Sequence, residues 1–322
     1  MKLSLFGFSV FIAATMLFAC WGLNTHFSSG PLKSNVTVVI PSGVGLSHIT
    51  NILTQRGILN EPFLFKLAAK LLGKSKNLRA GEYFFEAHSS PNAVLEKLSN
   101  GNIILRQLTI PEGLTSLEVI SKLYQTEGLI GQVSVKVPEG SVLPETYNYE
   151  FGDTRNSILL RMQKEMILFI ENESEKRRIN LPLKSKEDVI TLASIIEKET
   201  GLDSERDIIA SVFINRLNKK MKLQSDPTVR YGVSTLANKK RLTHKDLNRE
   251  TAHNTYKING LPPTPICNPG KASIIAALSP ASTDFFYFVA NGLGGHFFSK
   301  TLKAVSYTHL RAHETSLHLV CR

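Results

Sequence analysis

Asp188-Val-Ile-Thr-Leu-Ala-Ser-Ile-Ile-Glu-Lys-Glu-Thr200 is the stretch on which the reading of this chain turns. Ser185, with Asp188 three residues on, has the form of a capping-box start, and Gly201 offers a stop. Val189, Leu192, Ala193 and Ile196 recur at i, i+3, i+4 and i+7, so the spacing predicts a helix with one apolar stripe. Glu197 and Glu199 fall on the two shoulders of that stripe, about 200° apart round the helix, too far to act as a close pair. A carboxylate at the edge of a buried face is partly desolvated, which disfavours its charged form and raises its pKa. A general acid working near neutral pH needs that property. The same spacing also suits two solvated charges at a helix end.

Outward from this helix, Gly201-Leu-Asp203 is a short turn. Ser204-Glu-Arg-Asp207 reads as a second capping box, and Ile208, Ile209, Val212, Phe213 and Leu217 give the next helix an apolar face. Leu223 to Gly232 leaves the helical pattern. His253 to Pro265 is a long loop too rich in proline to be a helix, and ordered loops of that length are often functional. Gly270 to Leu278 is a short helix. Phe285 to Ala290 and His296 to Ser299, joined by Asn291-Gly-Leu-Gly-Gly295, form a hairpin.

Upstream lies a repeat. Val36-Thr-Val-Val-Ile-Pro41-Ser-Gly43 is a strand entering a Pro-x-Gly turn, and Leu108-Thr-Ile-Pro111-Glu-Gly113 repeats it. An amphipathic helix follows each. A helix (Pro62 to Leu72), a strand (Ala80 to Phe85) and a helix (Pro91 to Leu98) lie between them. Two copies do not make a solenoid. Glu139 to Tyr149 is a turn-rich crossing segment, and Ser157 to Glu171 has helical periodicity.

Leu3 to Leu23 is almost wholly apolar and long enough for a bilayer core, with Lys2 as the one charge before Asn24. Phe18 is atypical for a lipobox ending at Cys20, and there is no A-x-A-like cleavage site. The residues favour an uncleaved single span, with the rest of the chain outside the membrane by the positive-inside rule. Cys267 is then the one body cysteine, so neither a disulfide framework nor a cysteine metal site is expected. The histidines lack metal-ligand spacing, and neither a metal nor a cofactor is expected. Hydrophobic residues make up 42% and charged residues 20%, an ordinary folded composition. The formal net charge of +11 suits an acidic partner: nucleic acid, anionic lipid or acidic wall polymer. The absence of any nucleic-acid-binding motif argues against the first.

Five motifs now stand in order: Ala193-Ser-Ile-Ile-Glu197-Lys-Glu-Thr200, Leu223-Gln-Ser-Asp226-Pro-Thr-Val229, Asn254-Thr-Tyr256, Gly260-Leu-Pro-Pro263, and Phe288-Val-Ala-Asn291 with Gly295-His296. Behind an N-terminal anchor and Pro144-Glu-Thr-Tyr147, this series resembles the MltG-like (YceG-like) endolytic murein transglycosylases over residues 1–303. The resemblance implies a bacterial inner-membrane protein with one span and a periplasmic body. It implies a LysM-like subdomain beginning at the first βα unit, and catalysis by Glu197. The implied reaction is internal cleavage of peptidoglycan strands between MurNAc and GlcNAc, leaving 1,6-anhydro-MurNAc ends and terminating nascent strands beside their synthases. Gln224, Asp226, Asn254, Tyr256 and Asn291 are the implied substrate-binding positions.

The chemistry is coherent with one carboxyl group. Glycosidases ordinarily need two, about 5–9.5 Å apart. Here one acid protonates the leaving oxygen. The carboxylate so formed then takes the proton of the sugar's own C6 hydroxyl, whose tether gives it a high effective concentration. Ile195 and Ile196 would help keep Glu197 protonated. A non-catalytic peptidoglycan-binding or scaffold protein is the alternative from another class, and a glycoside hydrolase is a third reading.

The expected fold is α+β: an N-terminal transmembrane helix (1–24), a linker (25–35), a LysM-like βα subdomain (36–105), a second βα unit with a connecting segment (106–150), and a mixed helical and β-hairpin catalytic domain (151–303). From Ala304 the family pattern is expected to stop. Residues 304–322 resemble translated adapter sequence and are set aside as a non-native tail expected to be poorly ordered.

Overall fold

The computed structural model describes residues 2–176, 180–233 and 242–304. All but the first residue of the expected tail lies outside them. The architecture is α+β. It opens on α1 (Lys2–Phe27), within which Gly7–Phe27 has a mean hydropathy of 1.5 and is long and apolar enough to cross a membrane. The helix continues three residues past the expected end of the span, and its last turn, with buried His26, packs on α3 and α4, defined below.

The chain divides into two compact units. The first comprises residues 1–107, 127–130 and 148–154. It runs β1 (Val36–Ile40), α2 (Leu46–Gln55), α3 (Pro62–Leu71), β2 (Gly81–Phe85) and α4 (Pro91–Asn100). β1 and β2 pair antiparallel, Val36 opposite Phe85 and Ile40 opposite Gly81. Val38 and Ile40 alternate inward, as a strand's two-residue period requires, onto Leu53, Ile58, Phe65, Tyr83 and Leu95. The buried Tyr83 hydroxyl donates to Arg79 O at 2.8 Å, so this core holds no stranded phenol.

Next come β3 (Arg106–Thr109), α5 (Ser116–Gln125) and β4 (Thr146–Tyr149), with β3 beside β4. The sequence repeat is a structural one. Gly43 and Gly113 both take left-handed backbone (φ 78° and 76°), and each precedes a ten-residue helix. Stretch 106–150, expected as a unit of its own, is instead divided between the two units. Fully buried Asn268 explains part of this. Its Oδ1 accepts from Val142 N at 2.9 Å, its Nδ2 donates to Leu114 O at 3.0 Å, and its own N–H donates to Leu114 O at 2.8 Å. One amide thereby ties the residues around α5 to the C-terminal part of the chain. β4 falls in the segment read as turns: it has four residues, too few for the alternation of buried Tyr147 and Tyr149 to stand out.

The second unit adds α6 (Arg155–Ser174), α7 (Lys186–Glu199), α8 (Asp203–Asn218), α9 (Asp226–Val233), α10 (His244–Asn248), α11 (Lys271–Leu278), β5 (Tyr287–Ala290) and β6 (His296–Ser299). α7 is packed by α8, α9 and α11. Val189, Leu192, Ala193, Ile195 and Ile196 join Ile209, Phe213, Leu223 and Ile274 in the core. Three local readings change. At the start of α7 only half of the capping box forms: Ser185 Oγ accepts from Asp188 N, while Asp188 Oδ2 accepts from Lys184 N. α8 begins one residue early, at Asp203, with Leu202 as N-cap. Ser204 lies inside the helix, and Asp203 and Glu205 supply the negative charge favoured at its start. Asp226–Val233 is helical after all, since Pro227 falls where a helix tolerates proline, in its first turn.

Within the first unit, buried Glu82 on β2 accepts from Arg106 Nε at 2.7 Å and Nη2 at 2.9 Å, and this pairing holds its pKa below the usual carboxylate value. A depressed carboxylate pKa contributes stability that is present above the unfolded-state pKa and lost as pH falls through the folded one. Arg106→Ala strands a buried charge and should cost roughly 3 kcal/mol at neutral pH. Hydrogen exchange at the β1 and β2 amides checks this. Protection should drop at pH 7, and the gap to the natural chain should narrow in acid, where the stranded carboxylate protonates.

Candidate active site

At the end of α7, Ile195 and Ile196 are fully buried, and the two glutamates beyond them leave in different directions. Glu199 Oε1 accepts from Ser225 Oγ at 2.5 Å. Ser225 is itself fixed by a loop-to-loop seam. Its N–H donates to Thr255 Oγ1 at 2.9 Å, its carbonyl accepts from Thr228 Oγ1 at 2.6 Å, and the preceding Gln224 N–H donates to Thr255 O at 3.2 Å. Gln224 takes left-handed backbone (φ 51°), a strained choice for a residue with a β-carbon, and its side chain is exposed. Burial pushes Glu199 up to about 7. The Ser225 hydrogen bond opposes that rise, Asp226 reinforces it, and His296 and Arg216 oppose it.

The groups that act on Glu199 are each held in place. Tyr256 Oη donates to Asp226 Oδ1 at 2.7 Å. Burial first, and then this carboxylate, raise the Tyr256 pKa, so the phenol stays a donor. Arg216 is buried without a carboxylate in contact among the described residues. Its Nε donates to Phe286 O at 2.7 Å, its Nη1 to Leu223 O at 2.6 Å, and its guanidinium lies 5.3 Å from the Tyr287 ring centre. It therefore joins the 223–226 loop to the hairpin. His296 is clamped by Glu205: its backbone N–H donates to Oε1 at 2.8 Å, and its Nδ1 meets Oε2 at 2.7 Å.

Glu197, the expected acid, faces another set of partners. Its Oε2 accepts from Gly270 N at 3.0 Å and Ser273 Oγ at 2.8 Å, at the N-terminal end of α11, where a helix favours negative charge. Burial raises the pKa of nearby Glu112, and the Glu197 charge adds to the rise. Glu112 lies so close over Gly270 that a β-carbon there would meet its carboxylate at 1.8 Å. Glu197 thus anchors the start of α11, and the polar loops gather at Glu199.

Of the five expected substrate-binding residues, Gln224, Asp226 and Tyr256 belong to the loops around Glu199. The side chains of the other two bond to backbone. Asn254 is fully buried, donating to Leu247 O and Arg249 O and accepting from Tyr256 N. Asn291 Oδ1 accepts from Leu293 N and Gly295 N and shapes the hairpin turn. Sequence reasoning missed Ser225, Thr255, Arg216 and Glu205 as parts of the site. Ser225 stands inside a quoted motif, but nothing in a pattern says that its hydroxyl meets Glu199. A cavity lined by Leu217, Lys220, Met221, Asn259 and Gly260 has no carboxylate among those residues and lies apart from both glutamates' partners.

Comparison with known proteins fixes the lineage. The family model for YceG-like proteins matches residues 38–312. The chain belongs to the YceG-like family. The match runs past Ala304, where the family pattern was expected to stop, by eight residues. An endolytic murein transglycosylase of Bacillus subtilis (strain 168) is 34% identical over 307 residues, covering 84% of this chain and 83% of that protein. One from Streptococcus pneumoniae (strain R6) is 28% identical over 308 residues; the chain spans 55% of its length. The crystal structure of a YceG-like protein from Listeria monocytogenes is similar to this one with a TM-score of 0.54 and 32% identity, covering 85% of this chain and 98% of that one.

Ser225→Ala removes the hydroxyl that favours the charged form of Glu199. The Glu199 pKa should rise from about 7 by about one to two pH units, the worth of a hydrogen bond to a charged group. A carboxyl-carbon NMR titration of the variant reads this directly; an unmoved titration would mean that the bond is without consequence.

Proposed function

We propose that this chain is a membrane-anchored endolytic lytic transglycosylase of peptidoglycan, and that Glu199 is its general acid and then its general base. The observation that carries the reading is a half-buried carboxyl group poised near neutrality, with one oxygen fixed by Ser225 and no protein partner on the other among the described residues. At pH 7 a large fraction of such a group is protonated and can give its proton to the glycosidic oxygen between MurNAc and GlcNAc. As that bond breaks, positive charge grows on the MurNAc ring. The new carboxylate is oriented to receive the C6 hydroxyl proton while that oxygen closes on C1, leaving a 1,6-anhydro end. No water enters the balance, and the proton returns to Glu199.

Family membership and the names of the relatives support the substrate class. Gln224, Asp226 and Tyr256 are assigned to sugar recognition beside Glu199, and Glu197 to support. The βααβ order of the first unit supports a LysM-like, glycan-binding role. α1 supports a single-pass anchor in the bacterial inner membrane, with the body in the periplasm. The partners we infer are glycan strands and the synthases that elongate them. A hydrolase reading also draws on one observation, the like-charged Asp226 acting on Glu199. The products discriminate: a hydrolase leaves reducing ends.

Glu199→Gln should lower release of anhydro-ended fragments by about a hundred- to ten-thousand-fold, the range of a lost general acid–base. Glu197→Gln keeps an oxygen acceptor for Gly270 and Ser273 and should lose less than about tenfold. Mass spectrometry of purified peptidoglycan after digestion by the full chain and by each variant decides. The reverse order of losses would return the role to Glu197, equal activity in all three would exclude both glutamates, release of no fragments by any of them would favour a binding protein, and reducing ends would identify a hydrolase.

A further inference from the structure

Helix α3 carries two apolar faces, and only one is covered by the described residues. Leu64, Phe65 and Ala69 are buried in the first unit. On the other side Phe63, Leu67 and Leu71 recur at i, i+4 and i+8 and so form a stripe. Phe63 is 63% exposed, Leu71 78% and the following Leu72 53%, with Leu67 half-buried between them. Lys66 and Lys70 border the stripe, and neither has a carboxylate partner among the described residues; Lys74, one turn on, is paired with Glu96. An exposed apolar stripe edged by free cations is the pattern of a helix that lies in a lipid headgroup layer.

The neighbouring α1 says which surface this is. A β-carbon at Gly22 would lie 3.7 Å from Leu64 Cδ2, and His26 is buried, so the last turn and a half of α1 rests on the body beside α3. The apolar run Leu3–Leu23 of α1 is about 31 Å long at 1.5 Å per residue, the thickness of a hydrocarbon core, so Gly22 lies at its edge. Exposed Trp21 and Phe27 flank the Gly22 contact, as aromatic residues do at a membrane boundary. A helix touching α1 at Gly22 is therefore held at the depth of the lipid headgroups.

We propose that α3 is a second membrane contact. Phe63, Leu67 and Leu71 dip into the outer edge of the bilayer, and Lys66 and Lys70 bind anionic headgroups, so that the first unit lies down on the membrane instead of swinging on a tether. This rests on the anchor reading of α1, and the test separates the two. The chain has one tryptophan, Trp21. The full chain is reconstituted in vesicles of brominated phosphatidylcholine, with and without phosphatidylglycerol. Its Trp21 emission is compared with that of Trp21→Phe/Phe63→Trp and of a control, Trp21→Phe/Phe84→Trp. The emission of the Phe63→Trp variant should shift to the blue and be largely lost to the brominated lipid, more so with phosphatidylglycerol. Adding Lys66→Glu and Lys70→Glu should remove the extra loss. The control should answer to aqueous iodide and not to lipid. Quenching of the Phe63→Trp variant by iodide alone, with Trp21 still quenched by lipid, overturns the proposal and leaves the anchor standing. A blue shift without lipid quenching would mean that protein covers the face, which also overturns it. Trp21 unquenched by lipid would remove the anchor and this proposal together.

Discussion

A helix packed on three sides leaves little water for the charges in its last turn, and the C-terminal body is built round that difficulty. α7 is held by α8, α9 and α11, and two carboxylates emerge within three residues of its end. The fold treats them differently. Glu197 receives two donors from the start of α11, which gives its charge a fixed place. Glu199 is largely cut off from water, and the one hydroxyl it receives does not make up for that burial or for the nearby Asp226 charge, so its charged form is disfavoured. The difference in partners follows from unequal company for chemically identical side chains.

Holding Glu199 that way works against folding. A carboxyl group whose folded pKa lies above its unfolded value keeps its proton over a range in which the unfolded chain has lost it. Stability therefore falls as pH rises from the usual glutamate range to about 7. The seam of Ser225, Thr228 and Thr255, with buried Arg216 tying Leu223 to Phe286, offsets that loss locally. It also keeps Gln224 in its left-handed conformation.

Most elements were legible because their signals are local. Three- and four-residue spacing marked α7 and the apolar face of α8, alternation marked β1, and the paired Pro-x-Gly turns marked the repeat. The different surroundings of Glu197 and Glu199 were not legible. Both sit on shoulders of the same stripe, and the one that is covered is decided by a loop some 25 residues on, Leu223 to Asp226. The backbone hydrogen bonds of Asn254 and Asn291 were hidden for a related reason: a polar residue in a loop serves a ligand or its own backbone equally well, and composition does not distinguish them. α9 was hidden by Asp226-Pro227, which reads as a turn and is equally a helix start.

The buried amide of Asn268 has a consequence for how the chain comes together. It joins backbone groups 126 and 154 residues earlier, at Val142 and Leu114. Contacts of such long sequence separation close late, because the intervening loop must lose its freedom first. A ribosome that has delivered α5 through α10 has still not supplied the residue that ties the start of α5 to the segment at Val142. The body must then wait, exposed and unfinished, until nearly all of it has emerged, a window in which chaperones and proteases compete for the nascent chain.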